Sequence, residues 1–468
     1  MVDVRLSELD LPAPEVPSLE PTVPSTEFHA RISHLRSLMK TRKLDVMIVY
    51  GDREHFGNIT YLAGYDPRFE ESILIVGKTN SAPILLVGLE GIAYAKCVAQ
   101  IDAKNRVVPY FSLMGQSRSK SMKPKEPSEL FREAGIKRGM KVGVAGWKHY
   151  TQDDFKNSSL AIEIPSYLVD ALRQTTGSRS NVTNANELLT DPKIGLRNSH
   201  SVNEIAAFEF AATTCSRYMH NLITNLQDGI TEYEAVQLMK LNGMPLITHV
   251  MLSTGGRARV GLCSPSVRRI KRGDPLTAAF GVRGSLVCRA AYVVEKENEL
   301  EKIQPDYLSK ICMPYFKLLA TWYRSIRVGA SGNDVFNTID RQAHSLGLKL
   351  ALNPGHFIDL EEWTNSPFYR GSPYVLRSGM MLQSDMIPIV PSPKFGVNVE
   401  DTIALADEKL RSSLKNQYPE MWNRIEKRRE FMITQLGLSL NPEILPLCDN
   451  AAVLRPFLLA KNLALTQS

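Results

Sequence analysis

His356 follows Asn353-Pro354-Gly355 in a tight turn, Asp385 sits in LQSDMIP, and Glu400 sits in NVEDT. One imidazole and two carboxyl groups are the side chains of proton transfer, provided the fold brings them together. Both acids lie on apolar, strand-like segments, where an unpaired buried carboxylate is expensive. A cation is therefore expected beside them, and the stretch GDPLTAAFGVRGSLVCRAAYVV, Gly273 to Val294, offers one. It reads as two apolar strands joined at Arg283-Gly284, with Cys288 and Arg289 in the middle of the second. Alternation puts Leu286, Cys288, Ala290 and Tyr292 on one face and Val287, Arg289, Ala291 and Val293 on the other. A guanidinium among Val and Ala needs an acceptor or an anionic ligand. Arg289 is expected to neutralise Asp385, Glu400 or both through a forked ion pair. That network is either purely structural or it orients His356 as a general base, with Arg289 as an anion or oxyanion partner.

Two further groups are candidates. Cys263, in GLCSPS, would be a nucleophile for an amidine or ester carbon if it faced an electropositive pocket, and otherwise is an inert packed thiol. Arg68 lies in YLAGYDPRFEES, Tyr61 to Ser72, where Asp66, Glu70 and Glu71 crowd beside a proline as on an exposed functional loop. It either reaches across a dimer to bind substrate or pairs with its own loop. His249, in THVMLS, is expected to be structural.

The elements that must position these residues fall into two groups. Phe28 to Leu44 is an amphipathic helix with Ile32, Leu35 and Leu38 on one stripe, and DVMIVYG, SILIVG, APILLVG and GMKVGVAGW alternate with it as strands. This predicts an α/β domain over residues 28–190, preceded by a Pro-rich segment, 1–27, that lacks regular structure until it docks. The second domain, 195–408, opens with a long helix whose capping box is Ser201 with Glu204. Thr231 repeats that cap, the hairpin follows, and two further helices run over roughly 300–324 and 331–345. Residues 409–468 are expected to be a mainly helical extension.

The 468 residues exceed one ordinary core, and a hydrophobic content of 43% with 22% charged residues is that of a soluble globular protein. A net charge of +7 is spread over many small clusters, so no nucleic-acid partner is expected. The six cysteines show neither CxxC pairing nor metal-type spacing, which suits a reducing compartment. The acidic, proline-bearing start is unlike a signal peptide and no apolar run is long enough to span a membrane, so a cytoplasmic location is expected.

The ordered set LRNSHSVNEIAAF, DGITEYEA, RRIKRGD, NPGH, RSGMMLQ and NVEDTIAL resembles the creatinase/aminopeptidase P/prolidase family, over roughly Phe28 to Asp407. The resemblance implies a creatinase-type α/β N-terminal domain with a mixed sheet and an α+β pita-bread C-terminal domain. Metal-dependent members hold two ions with two Asp, one His and two Glu. By the resemblance those positions are here Ala279, Ala290, His356, Asp385 and Glu400, and a second family histidine falls on Trp363. With methyl groups at both bridging positions, no metal and no cofactor are expected. Creatinase is the family's metal-free hydrolase, a dimer that grips a substrate carboxylate with arginines. The resemblance sets Cys263 at its His base, Arg68 loosely at an arginine of its N-terminal domain, and Tyr292 where its acid stands.

These readings converge on a metal-independent hydrolase of a C–N bond in a small substrate with an anionic group, acting as a homodimer. His356, Asp385, Glu400 and Cys263 are its expected catalytic groups, and Arg68, Arg289, Tyr292 and Trp363 its substrate-binding groups. The alternatives are a non-catalytic pseudo-peptidase binding protein and a mononuclear Xaa-Pro metallopeptidase at His356, Asp385 and Glu400.

Overall fold

The computed structural model describes residues 3–102, 107–109 and 125–468. The chain divides into two compact units, one made of Val23–Asn198 and the other of Met1–Thr22 with Ser199–Ser468. The first strand, Val4–Glu8 (β1), belongs to the larger unit, so the N-terminal segment is not wholly irregular.

Unit Val23–Asn198 is built on Val46–Gly51 (β2), Ser72–Gly77 (β3), Ile84–Val87 (β4), Val107–Pro109 (β5), Val142–Ala145 (β6) and Val182–Asn184 (β7). They form one mixed sheet in the order β5-β4-β3-β2-β6-β7, with β2–β3–β4 antiparallel and the outer pairs parallel. Strand β2 is buried along its whole length, as expected of an apolar run covered on both faces. The helix Ser25–Thr41 buries Phe28, Ile32, Leu35 and Met39, so Met39 rather than Leu38 completes the predicted stripe.

The larger unit carries Met251–Thr254 (β8), Pro275–Val282 (β9), Ser285–Tyr292 (β10), His356–Phe357 (β11), Met381–Gln383 (β12), Asn398–Glu400 (β13), Thr402–Leu405 (β14), Ile444–Pro446 (β15) and Leu463–Gln467 (β16). They make two four-stranded antiparallel sheets, β13-β10-β9-β8 and β11-β12-β14-β15, and a ribbon of β1 with β16. The predicted hairpin is present, and Gly284 turns it at φ +98°, where a Cβ would run into the Phe208 ring. Both predicted capping boxes form, Ser201 with Glu204 at the head of helix Val202–Asn225 and Thr231 with Glu234 at the next. The C-terminal tail is helical only through Glu408–Gln417 and Pro419–Thr434, after which it supplies β15 and β16. Among the described residues no helix is long and apolar enough to cross a membrane.

Candidate active site

Two sheet edges supply the site. Strand β13 lies antiparallel to β10 with Cys288 opposite Glu400 and Ala290 opposite Asn398, and β9 sets Ala279 opposite Cys288. Because side chains alternate, Ala279, Cys288, Ala290, Asn398 and Glu400 share one face of the sheet. In the other sheet β11 pairs with β12, His356 opposite Gln383. Gln383 bridges the two: its amide donates to Glu400 Oε1 at 3.0 Å and to the Leu286 carbonyl at 2.9 Å. Its own Oε1 accepts from Thr402 Oγ1 at 2.7 Å, and the Leu286 carbonyl, which can only accept, fixes which end of the amide is the donor.

His356 is fully buried, and its turn is braced from outside. Gly355 adopts φ +101°, and a Cβ there would meet the Gln383 carbonyl at 2.6 Å. Trp322 Nε1 donates to the Pro354 carbonyl and Ser366 Oγ to that of Gly355, each at 2.8 Å. His356 Nδ1 lies 3.1 Å from the Phe357 carbonyl, an oxygen that can only accept, so Nδ1 carries a proton and Nε2 is the nitrogen left to exchange one. Nε2 lies 3.2 Å from Glu362 Oε1 and 3.6 Å from Glu400 Oε1, yet neither is aligned as a hydrogen bond, and Nε2 has no hydrogen-bond partner. The Trp363 ring stacks on the imidazole at 4.1 Å.

Asp385 completes the cluster, with Asn398 Nδ2 at 3.4 Å as its hydrogen-bond donor. Burial, with Glu400 nearby as the next cause, pushes its carboxyl up to about 8. Burial and the Glu362 charge likewise raise Glu400 well above the carboxylate range. The site is thus one imidazole with an unbonded Nε2 among three carboxyl groups, and among the described residues no guanidinium or ammonium pairs with them.

Arg289 is not in this cluster. It stands on the opposite face of β10 and pairs with Asp401, Nη2 reaching Oδ1 at 2.9 Å and Oδ2 at 3.2 Å. Nη1 donates to the carbonyls of Cys288 and Glu400, and Nη2 also to that of Asn450. The expected bond to Asp385 or Glu400 fails on parity, since the sheet carries Glu400 and Arg289 on different faces.

The sequence model of metallopeptidase family M24 matches residues 206–407. The solved structure of a prolidase from Pyrococcus horikoshii OT3 superposes with a TM-score of 0.59 at 19% identity, covering 81% of this chain and 95% of that one. An Xaa-Pro dipeptidase from Bacillus anthracis gives 0.58 at 18%, with 82% and 96% covered. The chain has the two-domain pita-bread fold of these solved structures, and residues 206–407 resemble the M24 family. A dipeptidase from Mycobacterium ulcerans is similar over the same extent, with a TM-score of 0.60 at 15% identity, 82% of this chain and 94% of that one. Identities this low speak for the fold. No curated protein sequence matches the chain.

Within this pita-bread frame the remaining expected residues scatter. Tyr292 is a core residue, 1% exposed, whose hydroxyl donates to Gln304 Oε1 at 2.9 Å and whose ring packs on Tyr307 and Phe395. Trp363 reaches the site, as the stacking partner of His356. Cys263 is half-buried in the link before the hairpin, where its carbonyl accepts from the Leu252 amide, and no hydrogen bond joins it to His356, Asp385 or Glu400. Arg68 lies in the other unit, its guanidinium over the Phe56 ring at 4.9 Å. Its loop is less exposed than expected: Glu70 is buried on the Gly91 amide, and Glu71 accepts from the hydroxyls of Tyr50 and Tyr167. His249 meets the Leu262 carbonyl at 3.0 Å, a structural role. The residue that sequence reasoning missed is Glu362. The pair Glu361-Glu362 directly before Trp363, so close after the NPGH turn, was the available signal.

Proposed function

We propose that the chain hydrolyses a C–N bond of a small substrate by acid–base catalysis at His356, without a metal. The observation that carries this reading is the His356 ring, with its proton fixed on Nδ1 and a buried, unbonded Nε2 beside Glu362. Nε2 takes a proton from water as the water oxygen attacks the substrate carbon. Glu362 offsets the charge of the imidazolium that forms. Asp385, protonated near neutral pH, gives its proton to the departing nitrogen, and the C–N bond breaks. The imidazolium then returns its proton to Asp385, so that overall water has supplied hydroxyl to carbon and a proton to nitrogen. The three carboxyl groups favour a neutral or cationic head on the substrate. An anionic head loses the support that Arg289 was expected to give.

A second reading has its own observation. His356, Glu362 and Glu400 offer one ligand atom each, all within 4.8 Å of one another. That N/O set suits a single divalent cation, while Ala279 and Ala290 bring no donor for a second. Such an ion would supply a Lewis acid and an activated water. The metal-free reading, not this one, includes a homodimer in which Arg68 closes the partner subunit's pocket.

The test is metal content of the purified protein, with turnover of amidines, amides and Xaa-Pro dipeptides in EDTA. Hydrolysis that resists EDTA and disappears in His356→Asn supports the metal-free reading. A stoichiometric ion, lost with Glu362→Ala, overturns it in favour of the mononuclear one. No turnover with or without metal overturns both and leaves a binding protein.

A further inference from the structure

The opposite face of the same sheet carries a second polar site, independent of the reaction proposed above. Between helix Val202–Asn225, strand β10 and residues 449–455 lies a cavity with an empty volume of about 410 Å³, part of it open to solvent. Arg289, Arg455, His220, Asp449 and Asn450 line it, and Leu11 of the N-terminal segment closes one side. That segment is tied there by Asn450 Nδ2, which donates to the Pro12 carbonyl at 3.1 Å.

Three buried polar atoms on this cavity's lining residues have no hydrogen-bond partner: Arg455 Nε, Asn450 Oδ1 and Asp449 Oδ2. Each would cost free energy if nothing met it. Arg289 is neutralised by Asp401, and Asp449 Oδ1 accepts from Arg428 Nε at 2.7 Å. Arg455 differs from both. Its one hydrogen bond is from Nη2 to the Ala460 carbonyl at 3.0 Å, and no carboxylate pairs with it among the described residues. A half-buried guanidinium whose Nε is buried and has neither partner nor counter-charge calls for an anion. The two orphaned oxygens call for a ligand that also donates.

We propose that this cavity binds a small oxyanion that retains a proton, of which hydrogen phosphate is the simplest. Its anionic oxygens face Arg455 Nε–H, and its P–OH donates to Asn450 Oδ1 or Asp449 Oδ2. Sulfate has the same size and no proton at neutral pH, so it leaves both acceptors unmet. Burial and the nearby Arg289 charge lower Arg455 to about 10, the direction expected of a guanidinium held among cations without an anion.

The test uses the full chain with 1 mM inorganic phosphate or sulfate at matched ionic strength, read by thermal shift and by calorimetry. Phosphate is expected to raise Tm by about 2 °C or more and sulfate by less than half as much. Arg455→Lys keeps the charge but removes Nε–H, and should weaken phosphate at least tenfold. Arg455→Met removes a half-buried unpaired charge, so it should fold at least as stably as the parent in phosphate-free buffer and bind no phosphate. Equal response to the two anions, no response, or a phosphate shift that survives in Arg455→Lys and Arg455→Met would overturn the proposal.

Discussion

The carboxyl cluster makes stability depend on pH in a direction opposite to the usual acid–base balance of a folded protein. Asp385 is lifted from 3.8 to about 8 in the folded chain. Between those limits the folded state holds a proton that the unfolded state has released. Stability therefore falls as pH rises, by about 1.4 kcal/mol per unit at full effect and by about 6 kcal/mol across the window. The contribution is fully present below pH 4 and lost above pH 8, and Glu400 acts in the same direction. Asp385→Asn keeps the shape and removes the titration. Urea unfolding in EDTA, followed by tryptophan fluorescence at pH 5, 6, 7 and 8, compares the two chains at constant slope m. Trp322, Trp363 and Trp422 all lie in the larger unit and report on it. The variant should gain on the parent steadily, by several kcal/mol between pH 5 and pH 8. A difference that does not change with pH would refute the protonated acid and with it the proposed donor to the leaving nitrogen. A divalent cation at His356, Glu362 and Glu400 would hold Asp385 ionised, so adding manganese or zinc should abolish the trend if the mononuclear reading is right.

Other outcomes follow from single contacts. His356→Asn should lower kcat by about 10² to 10⁴ and Glu362→Gln by at least tenfold, with the fold intact by circular dichroism; unchanged rates would remove both from the mechanism. Arg289→Met leaves Asp401 buried with the Ala452 amide as its remaining donor, and should cost about 3–5 kcal/mol in urea unfolding. The double variant Arg289→Met/Asp401→Leu should recover much of that loss, and turnover of the folded double variant should change little because the pair faces away from His356. Glu232 is wholly buried and accepts from the amides and hydroxyls of both Thr254 and Ser266 and from Arg257. Glu232→Gln sets an NH₂ against those donors, and a lower urea midpoint equivalent to about 2–4 kcal/mol is expected.

What was legible in the chain was what neighbours in sequence decide. The hairpin turn at Arg283-Gly284, the capping boxes at Ser201 and Thr231, and the Gly355 turn before His356 each depend on a few adjacent residues, and each forms as read. The fold was legible because six such motifs occur in one order. The partner of Arg289 was not, because it depends on how β13 registers against β10, a pairing across 112 residues. Glu362 was missed for a similar reason. It stands in a loop whose path, rather than any periodicity, carries its carboxylate to the imidazole.

Glu400 and Asp401 show how one register governs both faces of the sheet. They are consecutive, so if one points into the His356 cavity the other must point away from it. Glu400 is set opposite Cys288, and its parity leaves Asp401 on the side of Arg289. The guanidinium mid-strand is therefore the counter-charge of the acid that the site does not use. This also explains why the acids that the site does use have no counter-charge of their own. The fold spends its central cation on the far face, and the near face keeps a lone imidazole among three carboxyl groups. Such a cluster persists in one of two ways, by holding protons or by holding a cation. The sign of the pH dependence separates the two.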